Sequence, residues 1–322
     1  MAGLVSQTAG QKATRDAYGE ALVAVGRRDP RVVALTGDLR DSTRLEAFAA
    51  AFPDRFIECG IAEQNMVGVA AGLATCGKVP FVSSFAVFVP GRAYDQIRVL
   101  VAQPNLNVKL VSTHGGLTVG EDGMTAQAIE ELAMMRALAN MTVIVPADAT
   151  ETQQVIAALA DHRGPAYVRL GRAAVPVLFD ETYTFAIGRA ARLRDGTDVT
   201  LIACGIMVAE ALAAAETLAA EGIGARVLNM ATLKPLDETA VLEAARETGA
   251  IVTAEEHTIY GGLGGAVAEV TSAHEPVPVE RVGIRDVFGE SGSPRALMEK
   301  YGLTAAEIAG AARRALTRKR RR

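Results

Sequence analysis

Short apolar runs alternate with longer helix-like runs along almost the whole chain, and this alternation limits the possible folds more than any other feature. The short runs have the length of buried strands, and the longer runs place apolar residues at helical spacing. Strands joined by helices lie parallel, and parallel strands are buried on both faces. The alternation therefore predicts an α/β fold with mostly parallel, doubly wound sheets.

Two such units follow each other, with a boundary near residue 185. In the first unit we predict strands at 32–36, 55–59, 79–83, 107–112, 141–145 and 166–170, and helices at 12–27, 62–75, 94–102, 126–138 and 151–160. In the second, smaller unit we predict a hairpin of strands 187–192 and 199–203, strands at 225–230, 250–254 and 279–282, and helices at 208–220, 237–248 and 265–271. The predicted domains are residues 10–184 and 185–317, followed by a basic tail at 318–322.

Composition excludes several classes of protein. The net charge is −4 although the last five residues are all basic, so the body is acidic and has no nucleic-acid footprint. We expect the basic tail to be a frayed, solvated terminus. No apolar stretch has the length of a membrane span, and the N-terminus does not resemble a signal peptide. Cys59, Cys76 and Cys204 have no metal-ligand spacing, which is typical of reduced thiols in a cytoplasmic protein.

A glycine-rich loop joins the strand predicted at 107–112 to the next helix. It runs from Thr113 to Gln127 and contains His114, Glu121 and Asp122. A long loop inside a compact domain usually has a function. A lone histidine in a loop is often only solvated, but beside Asp122 we favour binding of a polyhydroxylated or anionic ligand. A metal site is not favoured, because no second histidine lies close in the sequence.

A carboxylate opens the helix predicted at 62–75. Glu63 precedes an almost wholly apolar run, so the helix is expected to be buried. One interpretation is that Glu63 only interacts favourably with the helix dipole. The other is that Glu63 is a buried acid that shares a proton with a ligand nitrogen. The sequence leaves both interpretations open.

Further candidates follow the predicted strands of the first unit. Asp38 ends the first strand at the carboxyl edge, where open α/β sheets bind ligands, although capping of the next helix is the favoured alternative. Phe85 and Phe88 follow the strand at 79–83. Paired aromatic residues usually belong to the core, but at this edge they are also suited to hold a flat ring.

Three arginines are candidates for binding phosphate, because a guanidinium group matches phosphate oxygens in a bidentate manner. They are Arg15, Arg169 and Arg172. The alternative for each is an ordinary surface position.

In this order and at these spacings, the motifs together resemble the carboxy-terminal half of transketolases, over about residues 13–316. The matching segments are Ala13-Thr14-Arg15, Asp38-Leu39-Arg40-Asp41-Ser42, Gly60-Ile61-Ala62-Glu63-Gln64, Phe85 with Phe88, His114 with Asp122, and Leu170-Gly171-Arg172. The resemblance implies a pyrimidine-binding domain followed by the family's smaller C-terminal domain. It implies cofactor binding by Asp38, Glu63, Phe85 and Phe88, and substrate binding by Arg15, Ser42, His114, Asp122 and Arg172.

The activity implied by the resemblance is transfer of a two-carbon ketol unit from a ketose to an aldose, with thiamine diphosphate as cofactor. Glu63 would be the catalytic residue, bonded to N1′ of the aminopyrimidine ring. The chain lacks the family's Gly-Asp-Gly motif and its following Asn, which hold Mg²⁺ (or Ca²⁺) and diphosphate. The resemblance therefore implies a separate N-terminal subunit that holds the metal, and an α₂β₂ assembly acting on sugar phosphates.

One position departs from the family pattern. Ala126 stands where the family usually has a substrate-contacting histidine, in Met124-Thr125-Ala126-Gln127. This favours a modified ketose, such as a branched, deoxy or sulfonated sugar, over ordinary pentose phosphates. Three alternatives stay open: the β subunit of a 2-oxo acid dehydrogenase E1 component, a deoxyxylulose phosphate type synthase, and a non-catalytic regulatory subunit of the same fold.

Overall fold

The computed structural model describes Gly3, Leu4 and residues 10–320, apart from the side chain of residue 320. The strands are β1 Gln11–Ala13, β2 Val32–Thr36, β3 Phe56–Glu58, β4 Val79–Phe85, β5 Lys109–Thr113, β6 Thr142–Ile144, β7 Ala166–Arg169, β8 Ala174–Pro176, β9 Ala191–Arg194, β10 Val199–Ala203, β11 Ala225–Asn229, β12 Thr232–Lys234, β13 Ile251–Thr258 and β14 Val279–Ile284. The α-helices are α1 Thr14–Arg28, α2 Glu46–Ala51, α3 Glu63–Thr75, α4 Val89–Arg92, α5 Tyr94–Gln96, α6 Glu131–Ala137, α7 Ala149–Asp161, α8 Met207–Ala220, α9 Glu238–Thr248, α10 Leu263–His274, α11 Pro294–Lys300 and α12 Ala305–Arg320.

The first sheet has seven strands in the order β12-β6-β7-β5-β4-β2-β3. Six of them are parallel, and β12 alone runs antiparallel, against β6. The chain moves outward on both sides of the junction between β2 and β4, with β7 inserted between β5 and β6, as in doubly wound sheets. The predicted α/β class with mostly parallel sheets is confirmed. The sequence did not indicate β12, which comes from the later part of the chain and extends the first sheet.

The second sheet has five strands in the order β14-β13-β10-β11-β9. The predicted hairpin of β9 and β10 is wrong, because β9 pairs antiparallel with β11 instead. Both edges of β10 are already occupied by parallel neighbours, β11 and β13. The strand β9 therefore pairs at the outer edge of β11, one strand away from β10.

Two other segments differ from expectation. The helix expected at 126–138 begins only at Glu131, because residue 128 still pairs with Gly115 as the loop returns. The tail expected to fray is helical through residue 320. Lys319 donates to the carbonyl of Thr248 at 2.7 Å, at the negative end of α9. Residues 321 and 322 of the predicted tail lie outside the described residues.

Within the described residues, no helix has the length and apolar character needed to cross a bilayer.

A buried carboxylate in α7 makes the stability of the fold depend on pH. Glu151 is fully buried and accepts hydrogen bonds from the Ala147 amide at 2.7 Å, the Asn229 amide group at 2.8 Å and the Tyr183 hydroxyl. Burial raises the pKa of Glu151 from 4.5 to about 7. The folded chain therefore holds a proton that the unfolded chain releases between these values. The resulting stability is present below about pH 4.5 and is lost as pH rises through about 7.

We predict that Glu151→Gln flattens the fall in unfolding free energy between pH 4.5 and 7, because glutamine does not titrate. The variant should also lose about 1–3 kcal/mol, since glutamine cannot accept all three hydrogen bonds. Urea unfolding at several pH values measures both effects, with the exposed Glu238→Gln as control. An unchanged slope in Glu151→Gln would contradict this account.

Candidate active site

The sequence-predicted residues gather at one edge of the first sheet. Strands β7, β5, β4, β2 and β3 are adjacent and parallel, so their carboxyl ends meet there. The segments at and just after these ends carry Arg172, His114, Phe85 with Phe88, Asp38, and Glu63, respectively. A ligand site at the carboxyl edge is the common arrangement in open α/β sheets.

Glu63 is the first residue of α3 and is only 4% exposed. Its carboxylate accepts a hydrogen bond from Nη1 of Arg92 at 2.7 Å, and the Arg92 side chain is 48% exposed. A buried carboxylate needs such a partner, because burial without compensation is costly. Helix-dipole stabilisation alone does not account for Glu63, because its carboxylate is also paired with Arg92 at the end of α4.

A series of stacked rings lies next to the pair of Glu63 and Arg92, along the edge of the sheet. The guanidinium of Arg92 lies 4.1 Å from the centre of the Phe88 ring. Phe88 and Phe85 stack with centroids 5.3 Å apart, and Phe85 stacks on the imidazole of His114 at 3.7 Å. Both phenylalanines are partly exposed. Glu63 and His114 therefore lie at the two ends of one continuous row of side chains.

Positive charge surrounds the His114 end of the row. Nη1 of Arg15 lies 3.4 Å from Nε2 of His114 and 3.2 Å from the Ser42 carbonyl. Burial, together with Arg15, Arg172 and Arg44, lowers the pKa of His114 to about 3. A guanidinium only donates, so Nε2 is the acceptor, and neutral His114 carries its proton on Nδ1, 2.8 Å from the Thr113 hydroxyl. The cluster suits an anionic group, and Nε2 can accept from a hydroxyl that takes the place of Arg15.

Asp38 and Ser42 lie in the loop after β2. Asp38 is exposed and has φ +58°, and its amide donates to the Glu58 carboxylate at 2.8 Å. Glu58 also accepts from the amide of Gly60 at 3.0 Å, so it joins the Asp38 loop to the Glu63 loop. The capping interpretation of Asp38 is wrong, because the next helix begins at Glu46 and Leu45 occupies its cap position.

The loop after β5 forms a turn at Leu117–Asp122. Nη1 of Arg172 donates to the carbonyl of Val119 at 2.6 Å and to the Glu121 carboxylate at 3.1 Å. Asp122 is exposed at the end of the turn, and in the described part of the chain its side chain makes no hydrogen bond or ion pair. Arg172 therefore supports the loop directly, whereas Asp122 is free to meet a ligand.

Arg169 does not belong to this site, so its interpretation as a phosphate ligand or surface residue is wrong. Its side chain is 5% exposed and pairs with buried Glu131 at 3.1 Å. It also donates to the backbone carbonyls of Ala128 and Glu256. The inward direction of Arg169 on β7 explains the difference, since a buried guanidinium must find acceptors inside the protein.

Sequence reasoning missed Arg92, Arg44 and Glu58. Arg92 lies 29 residues from its partner Glu63, and only its position shortly after Phe88 could have indicated it. Arg44 has φ +63° and pairs with Asp16 at 2.6 Å. Nothing in the local sequence distinguishes Arg44 or Glu58 from surface charges, because Arg44 pairs with Asp16 of α1 and Glu58 bonds to the amide of Asp38, both distant in the sequence.

Two family models match the chain. The model of the transketolase pyrimidine binding domain matches residues 10–177, and the model of the transketolase C-terminal domain matches residues 188–308. Together they span most of the chain and confirm the resemblance that the motifs indicated.

Individual relatives have similar length. The chain is 48% identical over 301 residues to a putative transketolase C-terminal section of Methanocaldococcus jannaschii, covering 92% of this chain and 94% of that protein. It is 47% identical over 305 residues to the 6-deoxy-6-sulfo-D-fructose transketolase subunit SqwH of a Clostridium species, covering 95% of each. A solved split gene transketolase, described as an inactive beta4 tetramer, has a TM-score of 0.89 at 52% identity over 96% of this chain and 100% of that chain. These likenesses favour a transketolase subunit over the E1 β subunit.

We predict that His114 stays neutral between pH 5 and 8, with its proton on Nδ1, because burial and nearby guanidinium groups oppose a further charge. Nitrogen NMR of ¹⁵N-histidine-labelled protein measures both properties, and the spectrum of His114→Gln assigns the signal. A titration midpoint near 6.5, or a proton on Nε2, would contradict the geometry described for His114 and Arg15.

Proposed function

The chain belongs to the transketolase family and is a transketolase subunit, and on that premise we propose how it contributes to the reaction. It transfers a two-carbon ketol unit from an anionic ketose to an aldose, and it is active only with a separate N-terminal subunit. The observation that carries the proposal is the row from Glu63 to His114. We assign residues 10–184 to the pyrimidine-binding domain and 185–317 to the C-terminal domain.

The residues at the sheet edge fit the aminopyrimidine ring of thiamine diphosphate. Phe85 and Phe88 are partly exposed aromatic residues that would pack against a flat ring, and Glu63 offers a buried carboxylate to a ring nitrogen. Asp38 lies on the neighbouring loop and completes the proposed set. When bound, thiamine diphosphate supplies the carbon nucleophile that transketolase chemistry needs. Glu63, which is itself buried, would hold a proton at the ring nitrogen.

The diphosphate and its metal are proposed to belong to the partner. Among the described residues, no cluster of three or more histidine, cysteine or acidic side chains could hold a metal ion. We propose that a separate N-terminal subunit binds Mg²⁺ or Ca²⁺ with the diphosphate, in an α₂β₂ assembly. The relative described as an inactive beta4 tetramer is consistent with a chain that needs such a partner. The three free cysteines support a cytoplasmic location.

The far end of the row is suited to bind the substrate. His114 would accept a hydrogen bond from a sugar hydroxyl at Nε2, in place of the one from Arg15, and Asp122 would accept another. Arg15 and Arg172 would attract an anionic terminus, and Ser42 lies beside Arg15. The charge alone suits phosphate and sulfonate equally.

Glu63 tests the catalytic part of the proposal. We expect turnover only when the chain is mixed with its N-terminal subunit, thiamine diphosphate and Mg²⁺. Glu63→Gln keeps the size but cannot hold the proton in the same way, so activity should fall by about 100-fold or more. A coupled assay of ketose consumption measures this, with the exposed Glu238→Gln as the matched control. Activity of the chain alone would overturn the need for a partner, and silence of the complex would favour a non-catalytic subunit.

Ala126 tests the choice of donor. We propose that the smaller side chain accepts a modified ketose, such as a sulfonated, branched or deoxy sugar, in line with the sulfo-sugar named for the Clostridium relative. A panel of ketoses should give the highest kcat/KM for such a donor, and Ala126→His should shift preference toward xylulose 5-phosphate. Ala126→Ser is the size control. If the wild-type complex prefers xylulose 5-phosphate, this proposal is wrong.

A further inference from the structure

Strand β13, in the second half of the chain, contacts the loop that joins His114 to Asp122. Glu256 lies on β13 and is only 7% exposed. Its carboxylate accepts a hydrogen bond from the amide of Thr118 at 2.6 Å. Thr118 lies midway between His114 and Asp122 along the chain. One buried carboxylate therefore holds the centre of the loop that carries both proposed sugar-binding side chains.

The glycines of the loop make room for this contact. At Gly116, with φ +83°, a Cβ would lie 2.1 Å from the carboxyl carbon of Glu256. At Gly115, a Cβ would lie 2.3 Å from Nε of Arg169. No other residue type fits these two positions without moving the charged side chains beneath them. The glycine pair is thus explained by Glu256 and Arg169 rather than by loop flexibility.

A second set of contacts holds the far side of the loop. Gln127 is 3% exposed, and its amide group donates to the carbonyls of Gly120 at 3.3 Å and Glu290 at 2.9 Å. At Gly123, a Cβ would lie 2.6 Å from the hydroxyl of Ser291. Helix α11 packs against the same turn. The loop therefore contacts residues of the later part of the chain at several points.

We propose that Glu256 is a positioning residue, through which the C-terminal domain holds the loop and thereby sets the affinity for the ketose donor. This inference rests on the proposed function for the identity of the ligand. A hydrogen bond to a buried carboxylate is stronger than one between neutral groups. Without the hydrogen bond to Glu256, Thr118 would move. The His114 and Asp122 side chains would then leave the positions proposed to bind sugar hydroxyls.

The neighbouring residue provides a matched control. Glu255 lies on the same strand and is 1% exposed. Its carboxylate accepts two amide hydrogen bonds of 2.7 Å from Leu263 and Gly264, at the start of α10. Glu255 and Glu256 are therefore both buried carboxylates that accept hydrogen bonds from backbone amides, but Glu256 bonds to the loop and Glu255 bonds to the start of α10.

The test compares Glu256→Gln, Glu256→Ala and Glu255→Gln in the complex with the N-terminal subunit. For Glu256→Ala we expect the donor KM to rise about tenfold or more, with kcat within about twofold and the Kd of thiamine diphosphate unchanged by calorimetry. Glu256→Gln, which keeps one acceptor oxygen, should lie between Glu256→Ala and the wild type. Glu255→Gln should lower thermal stability without raising the donor KM.

Hydrogen exchange of the peptide spanning 114–127 gives a readout that does not depend on activity. Exchange should accelerate in both Glu256 variants and stay unchanged in Glu255→Gln. Equal KM changes in Glu255→Gln and Glu256→Gln, or unchanged exchange in Glu256→Ala, would overturn the inference. If no ketose is turned over by the wild type, the proposed function fails, while exchange still decides whether Glu256 holds the loop.

Discussion

The buried guanidinium of Arg169 is the constraint on which the site depends. It lies at the end of β7, pairs with Glu131 at 3.1 Å, and donates to carbonyls on both the returning loop and β13. A charge at such depth is tolerated only when its hydrogen bonds are satisfied. The loop after β5 and the end of β13 must therefore close over Arg169. These contacts fix the position of His114 at the start of the loop and the point at which Glu256 contacts the loop.

The row of side chains follows from this fixed loop and from the register of the parallel strands. His114 can stack on Phe85 only because β4 and β5 end level with each other, with Phe85 paired to Thr113. The guanidinium of Arg92 then lies over the Phe88 ring and pairs with the Glu63 carboxylate. Stacked aromatic rings thus separate the Glu63 carboxylate, proposed to hold a proton, from the His114 imidazole, proposed to bind the sugar.

Periodicity was enough to predict the parallel sheets, because burial on both faces leaves a signal in every strand. It could not predict that β9 pairs with β11 or that β12 joins the first sheet, since pairing of distant strands leaves no local pattern. The motifs indicated Glu63 and His114, but not Arg92, whose role arises from a contact between α3 and α4. Arg169 was misinterpreted because its sequence neighbours do not reveal that its side chain points inward.

The most direct test is a structure of the complex of this chain with its N-terminal subunit and thiamine diphosphate. The account predicts that the aminopyrimidine ring lies against Phe85 and Phe88, with the Glu63 carboxylate bonded to a ring nitrogen. It also predicts that the diphosphate and metal contact the other subunit. A ring bound away from the two phenylalanines, or a ring nitrogen without contact to Glu63, would contradict it.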